Sequence, residues 1–191
     1  MASKDADILR TYREASSYER FKILMNNFSE FPKVIRKIEK KTQYKIKADR
    51  EYLKSRVRGE LGVRIMNSNL GDPTAQEAIQ NITIEEAFRT GIISEELLKD
   101  MDNAAEYEAD IRLISIMRDD YDLLEEIIED LNDSDCKIIK ALLVEGRMFR
   151  EIAVDEGRSY ETIKKRIDKI RMDIWEDMEE CLEKNCRVGM G

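Results

Sequence analysis

A cluster of basic side chains near the C-terminal end carries the clearest chemistry in this sequence. Its members follow Gly157 and are Lys164, Lys165, Arg166, Lys169 and Arg171. Lysine and arginine donate hydrogen bonds to phosphate oxygens and to the O6 and N7 acceptors of guanine. The cluster therefore predicts a surface that faces a polyanion. A solvated helix surface with paired charges is the alternative, and the cluster alone leaves both interpretations open.

Residue types that usually perform catalysis or bind metal are scarce. The chain has no histidine and an odd number of cysteines, namely Cys136, Cys181 and Cys186. The commonest general base and the usual catalytic triads are therefore missing, and neither a zinc site nor a disulfide framework has support. We expect a protein without catalytic activity, metal or cofactor.

The composition indicates an all-α protein. Charged residues make up 39% of the 191 residues, and there are only 8 glycines and 2 prolines. A strand-rich sandwich or barrel needs many turns marked by glycine and proline, which this chain lacks. The N-terminal residues lack the apolar core of a signal peptide, and no apolar run approaches the roughly 20 residues of a membrane span. We therefore expect a cytoplasmic protein that does not enter the membrane.

Charge is distributed unevenly along the chain, whose net charge is -8. Residues 1–70 carry 17 Lys/Arg against 9 Asp/Glu, residues 71–135 carry 4 against 20, and residues 136–191 carry 12 of each. One basic run predicts either a second phosphate-binding face or pairing with the acidic segment 95–135, and both interpretations stay open. This run comprises Lys33, Arg36, Lys37, Lys40, Lys41, Lys45 and Lys47.

Hydrophobic periodicity predicts the helices that must position these residues. Those upstream of residue 132 span residues 6–27, Pro32 to Gly62 with a possible break near Thr42, Pro73 to Asn81, Thr83 to Gly91, and Ser94 to Leu131. A capping box formed by Thr83 and Glu86 supports the start of the fourth helix. Residues 62–74 have the composition of a loop and predict the main domain boundary.

Beyond residue 132 the pattern predicts three helices separated by glycines. Asp133 is expected to cap a helix over residues 134–145, which Gly146 ends. A short helix over residues 148–156 follows, with its apolar residues turned inward.

The third of these helices is predicted to be long and to begin after a tight turn. Gly157 supplies the left-handed backbone conformation of the turn, and Ser159 caps the helix. Its apolar stripe comprises Ile163, Ile167, Ile170, Ile174 and Met178. A short helix, a glycine turn and a crossing helix form a helix-turn-helix, which inserts its second helix into the DNA major groove.

The segment around this turn resembles the promoter-reading region 4 of bacterial sigma factors. It resembles more closely the sigma-like regulators of the ArpU type that phages and prophages encode. The residues that carry the resemblance are Glu151-Ile152-Ala153, Gly157, Ser159, Thr162-Ile163-Lys164 and Arg166, at the spacing of the family pattern. Residues 62–79 also resemble the linker of those phage regulators, so the resemblance covers roughly residues 60–180.

The resemblance implies a sequence-specific, DNA-binding regulator of transcription in a bacterial cytoplasm, with double-stranded DNA as its partner. Base edges would be contacted by the first turns of the long helix, at Tyr160, Glu161, Lys164 and Lys165. Phosphates would be held by Arg158, Ser159, Arg166, Lys169 and Arg171. Lysine suits guanine, and Glu161 suits the N4 amino group of cytosine.

The predicted architecture has three regions and a tail. They are a basic helical region over 1–61, a linker and acidic helical region over 62–131, a helix-turn-helix domain over 132–185, and a tail over 186–191. Two other functions stay open. One is a phage packaging protein similar to a small terminase, and the other is an interaction module that docks RNA polymerase through its acidic face. Contact with RNA polymerase and formation of a homo-oligomer are open as well.

Overall fold

The computed structural model describes residues 4–61 and 73–188, and every regular element in them is an α-helix. The predicted all-α class is therefore confirmed. The helices are α1 (Lys4–Glu14), α2 (Ser17–Asn27), α3 (Phe31–Leu61), α4 (Pro73–Thr90), α5 (Ala104–Asp130), α6 (Asp133–Leu143), α7 (Phe149–Asp155) and α8 (Tyr160–Val188). Within these ranges, no helix has the length and apolarity needed to cross a membrane.

Close contacts between residues divide the chain into two compact units. The first contains the chain up to Ile35 and the chain from Met117 onward, and the second runs from Arg36 to Ile116. The N-terminal helices α1 and α2 therefore share a unit with the predicted helix-turn-helix, although the whole second unit separates them in sequence. Most of the predicted boundary loop at 62–74 lies outside the described residues.

The N-terminal segment forms two helices, so the single helix predicted over residues 6–27 is wrong. α1 ends at Glu14, and Ser16 caps α2 through a reciprocal pair of contacts with Glu19. The Glu19 backbone N–H donates to Ser16 Oγ at 3.4 Å, and the Ser16 backbone N–H donates to Glu19 Oε2 at 2.9 Å. This capping box starts a new helix because it satisfies donors that a continuous helix would satisfy internally.

Helix α2 packs along α8 within the first unit. The rings of Tyr18 and Phe21 lie against Trp175 of α8, with ring centroids 5.0 and 5.5 Å apart. Leu24 of α2 and Leu182 of α8 are fully buried. Because α2 covers α8, the apolar stripe of the long helix is shielded by a helix from the opposite end of the chain.

A buried polar cluster ties four segments of the first unit together. The Asp120 carboxylate accepts hydrogen bonds from the Tyr12 hydroxyl at 2.7 Å and from the Asn185 amide at 2.6 Å. Arg20 is fully buried, donates from Nε to the Tyr12 carbonyl at 3.1 Å, and lies over the Tyr12 ring. Burial raises the pKa of Asp120, although the two hydrogen bonds and the nearby Arg20 charge oppose that rise.

Helices α3 and α4 are each continuous where the sequence suggested interruptions. Thr42 is buried inside α3, and no break occurs there. The helix start predicted at Thr83 is also wrong, because the Thr83 hydroxyl donates to the Ile79 carbonyl at 2.9 Å within α4. A hydroxyl that bonds back to the preceding turn cannot cap the next one. α4 ends before Gly91, whose φ is +69°, as predicted.

The predicted helix start at Ser94 is wrong, since α5 begins only at Ala104. The intervening residues form turns in which the Leu97 N–H donates to the Ser94 carbonyl at 2.9 Å. Asp100 has a φ of +63°, a left-handed conformation that no α-helix contains. Leu97 is buried, so this segment packs into the second unit as a turn-rich connection.

Candidate nucleic-acid interface

Helix α6 is the first of the three helices of the predicted helix-turn-helix, and its cap differs from the predicted one. The side chain of Asn132 accepts from the Asp135 backbone N–H at 3.1 Å, so Asn132 is the cap and Asp133 is the first helical residue. Asparagine and aspartate are both good N-cap residues, and here Asn132 rather than Asp133 occupies the cap position. Gly146 follows the end of α6 with a φ of +66°, as expected of a glycine that stops a helix.

The short helix α7 and the turn after it adopt the predicted geometry. Glu151 reaches back to accept from the Met148 backbone N–H at 2.7 Å, which compensates for a cap residue without a side-chain acceptor. Gly157 has a φ of +58°, and the Arg158 N–H closes the turn on the Ala153 carbonyl at 3.0 Å. The turn is therefore closed by backbone hydrogen bonds and by a left-handed glycine.

Two ion pairs brace this turn from the outside. Lys137 of α6 pairs with Glu156 at 2.9 Å, and this hydrogen bond raises the pKa of Lys137. Arg147 pairs with Asp155. The first pair joins α6 to the end of α7, and the second joins the connection before α7 to the same end. Both pairs therefore hold the end of α7, directly before the turn, against residues that precede α7.

Helix α8 begins as predicted and buries the predicted stripe. Ser159 Oγ accepts from the Thr162 backbone N–H at 3.2 Å, so Ser159 caps the helix. All five predicted stripe residues are at most 2% exposed, and the stripe continues to Leu182. The helix itself continues to Val188, beyond the predicted start of the tail at residue 186. On the first turns of α8, the face opposite the apolar stripe is exposed to solvent.

The four side chains predicted to contact bases lie on the exposed side of the first two turns of α8. Glu161, Lys164 and Lys165 are exposed, and none of them forms an ion pair with a described residue. Tyr160 is 42% exposed and places its ring 6.3 Å from the Phe149 ring of α7. The structure therefore brings these four together on one accessible surface.

The residues predicted to hold phosphates divide into two groups. Arg158, Ser159 and Lys169 are exposed, whereas Arg166 and Arg171 are partly buried. Arg166 Nε donates to Asp135 Oδ1 at 2.6 Å, which joins α8 to α6. The Nε–H of Arg171 is buried and donates to no acceptor among the described residues. Arg166 is thus engaged inside the domain, and a phosphate would compete with Asp135 for it.

The pKa of the Asp135 carboxyl depends on its contact with Arg166. Burial alone would raise the pKa of Asp135, but hydrogen bonds from Asn132 and Arg166 and the charges of Arg166 and Lys169 outweigh it. The net result is a pKa below the ordinary value, so Asp135 is ionised at neutral pH. The pair therefore behaves as a salt bridge that holds α6 against α8.

Arg150 is a candidate that the sequence reasoning missed. It is exposed near the start of α7 and pairs with no described carboxylate. In helix-turn-helix proteins the first helix of the motif crosses the DNA backbone, so a cation there suits a phosphate. The position of Arg150 near the start of the helix before the turn is the sequence feature that would have predicted this role.

The charge on α8 changes sign along its length. Its exposed basic residues without an ion-pair partner lie in the first three turns, whereas Lys184 and Arg187 near the other end pair with Glu180 and Glu183. The later turns carry exposed carboxylates at Asp173, Glu176, Asp177, Glu179, Glu180 and Glu183. A duplex would be attracted to the first part and repelled by the second. The end of α8 that follows the turn is therefore the part of this helix whose charge suits a polyanion.

No known protein family, curated protein or solved structure matches this chain. Across residues 4–61 and 73–188, no group of three or more Cys, Asp or Glu side chains has the arrangement of a metal site.

Proposed function

We propose that this protein is a sigma-like, sequence-specific DNA-binding regulator of transcription, and that α8 reads the major groove. The observation that carries the proposal is the exposed, unpaired state of Lys164 and Lys165 directly after a braced helix-turn-helix turn. Side chains on the first turns of the second helix are those that meet base edges in such motifs.

Each exposed group has a defined chemical role in this proposal. Lys164 and Lys165 donate to guanine O6 and N7, and Glu161 accepts from cytosine N4. Arg158, Lys169 and Arg150 hold phosphates and supply affinity that depends on salt but not on sequence. The Tyr160 ring lies tilted against Phe149, with the ring centroids 6.3 Å apart, on the same first turns of α8 as Lys164.

Selection from a random duplex library at near-physiological salt tests the proposal. The wild type should enrich one motif, and Lys164→Ala/Lys165→Ala should lose or relax it, since a bidentate base contact contributes about 1–3 kcal/mol of discrimination. A matched control is Lys40→Ala/Lys41→Ala, which removes two adjacent exposed lysines from α3. This control should keep the motif even if overall affinity falls.

An acidic surface favours the interaction module as a second candidate. Exposed carboxylates line the C-terminal half of α5, at Asp122, Glu125, Glu126, Glu129 and Asp130. A basic surface such as one on RNA polymerase would complement them. This candidate would be favoured over the regulator if wild type and both variants enriched no motif while immobilised wild type retained RNA polymerase.

A further inference from the structure

Helix α3 presents an exposed basic stripe in the second unit. Lys37, Lys40, Lys41 and Lys47 are exposed, and Tyr44 lies among them with 75% of its surface accessible. At 100° per residue these five positions fall within an arc of about 120°, and they extend over about 15 Å of helix. They form one face, which we call the α3 lysine face.

The ion pairs of this basic run favour one of its two interpretations. Lys33 pairs with Glu30 at 2.9 Å, and Lys45 pairs with Glu106 of the acidic helix at 3.7 Å. Among described residues, no carboxylate pairs with any lysine of the α3 lysine face. Lys45 therefore pairs with the acidic helix, whereas the lysines of the α3 lysine face have no ion-pair partner among the described residues.

The carboxylates of α3 itself are also engaged elsewhere. Asp49 accepts from the Tyr107 hydroxyl at 2.7 Å, and Glu51 pairs with Lys54 at 2.8 Å. Glu39 is half-buried and accepts from the Gln43 amide at 3.2 Å. None of these three carboxylates forms an ion pair with a lysine of the face. The ammonium groups of the face are therefore free of direct ion pairs within the described residues and can meet an external anion.

We propose that the α3 lysine face is a second nucleic-acid-binding surface that grips the phosphate backbone of duplex DNA without reading its sequence. A duplex carries one negative charge per about 1.7 Å, so 15 Å of it presents roughly nine charges to four lysines. The exposed Tyr44 hydroxyl is a further donor of the kind that contacts phosphate. The proposal rests on residues outside the helix-turn-helix and holds whether or not α8 reads a sequence.

The test compares the intact chain with a variant carrying Lys37→Gln, Lys40→Gln, Lys41→Gln and Lys47→Gln. Binding to a fluorescent random-sequence duplex of about 20 base pairs is followed by anisotropy over a range of salt concentrations. We expect affinity at about 100 mM salt to fall tenfold or more, and the slope of log K against log salt to become shallower by about 3–4. The corresponding four Lys→Arg changes keep the charge and should keep both values.

Two further measurements keep the proposal falsifiable. All four lysines are exposed, so the thermal midpoint of the Gln variant should stay close to that of wild type, which excludes misfolding. An oligoglutamate peptide of matched charge serves as the competing polyanion. The proposal would be overturned if the Gln variant bound the duplex as tightly as wild type. It would also be overturned if wild type bound no duplex and the Gln variant lost only oligoglutamate binding. If the Gln variant binds more weakly but selects the same motif as wild type, the α3 lysine face contributes affinity and α8 contributes sequence preference.

Discussion

Gly157 contributes to the turn between α7 and α8 through its backbone conformation. Its φ is +58°, and a Cβ placed there would meet no atom within 4 Å. Sterically the site has room for a side chain, so the constraint is the left-handed backbone. An alanine in place of Gly157 would therefore cost backbone torsional energy and would not cause a steric clash.

Gly157→Ala should lower the free energy of unfolding by about 1–2 kcal/mol, the cost of the left-handed conformation for a residue with a Cβ. Gly157→Asn is the matched control and should lose less, because asparagine tolerates this conformation. Urea unfolding monitored by circular dichroism measures both. Equal stability of Ala and wild type would show that the turn relaxes to another conformation.

Arg166→Gln tests whether this arginine acts inside the domain. Removing its bond to Asp135 should cost about 1 kcal/mol at neutral pH, since the pair is only partly shielded from solvent. The folded pKa of Asp135 is lowered, so the stability that it supplies is present above its unfolded value near 4 and is lost as pH falls through the folded value.

The difference in unfolding free energy between wild type and Arg166→Gln should therefore shrink below about pH 4. Chemical unfolding at several pH values measures that difference. Lys165→Gln is the control because Lys165 is exposed and unpaired, and it should leave stability unchanged. An Arg166 variant with normal stability and weakened DNA binding would instead assign this side chain to phosphate.

At the scale of elements, the caps decide where helices begin. Ser16 interrupts what the apolar pattern predicts as one helix, and Asn132 and Ser159 start α6 and α8. Thr83 has the same kind of sequence signal, yet its hydroxyl bonds back to Ile79 inside α4. A cap signal therefore predicts a start only where the backbone before it leaves the helix.

Ser16→Ala should destabilise the first unit by about 1 kcal/mol, because the cap of α2 loses its side-chain acceptor. Ser16→Asn should retain most of the stability, since asparagine caps equally well. Thermal unfolding followed by the fluorescence of Trp175, which lies against α2, reports the change locally. An alanine variant as stable as wild type would mean that Glu19 alone holds the helix start.

At the scale of the whole molecule, the first unit is assembled from the two ends of the chain. Tyr12 and Asp120 are 108 residues apart in sequence and share a hydrogen bond in the buried polar cluster. Helix α2 covers α8, so the proposed DNA-reading helix depends on N-terminal residues for its packing. A division of the chain at residue 132 would separate these partners.

Asp120→Ala should lower the free energy of unfolding by about 3–5 kcal/mol, because it leaves the fully buried Arg20 without its nearby opposite charge. Asp119→Ala is the matched control at the adjacent exposed position and should change stability by less than about 0.5 kcal/mol. Equilibrium unfolding in urea provides both numbers. A small effect of Asp120→Ala would show that Arg20 rearranges to reach solvent.

The sequence by itself determined the features that depend on local spacing. The α8 stripe, Gly157 and Ser159 follow from a 3.6-residue period and from residues with narrow conformational preferences, and the structure confirms all three. Only the tertiary structure decided the engagement of Arg166 by Asp135, the assembly of α2 with α8, and the unpaired state of the α3 lysine face. These depend on distances between residues far apart in the chain, which local spacing does not encode.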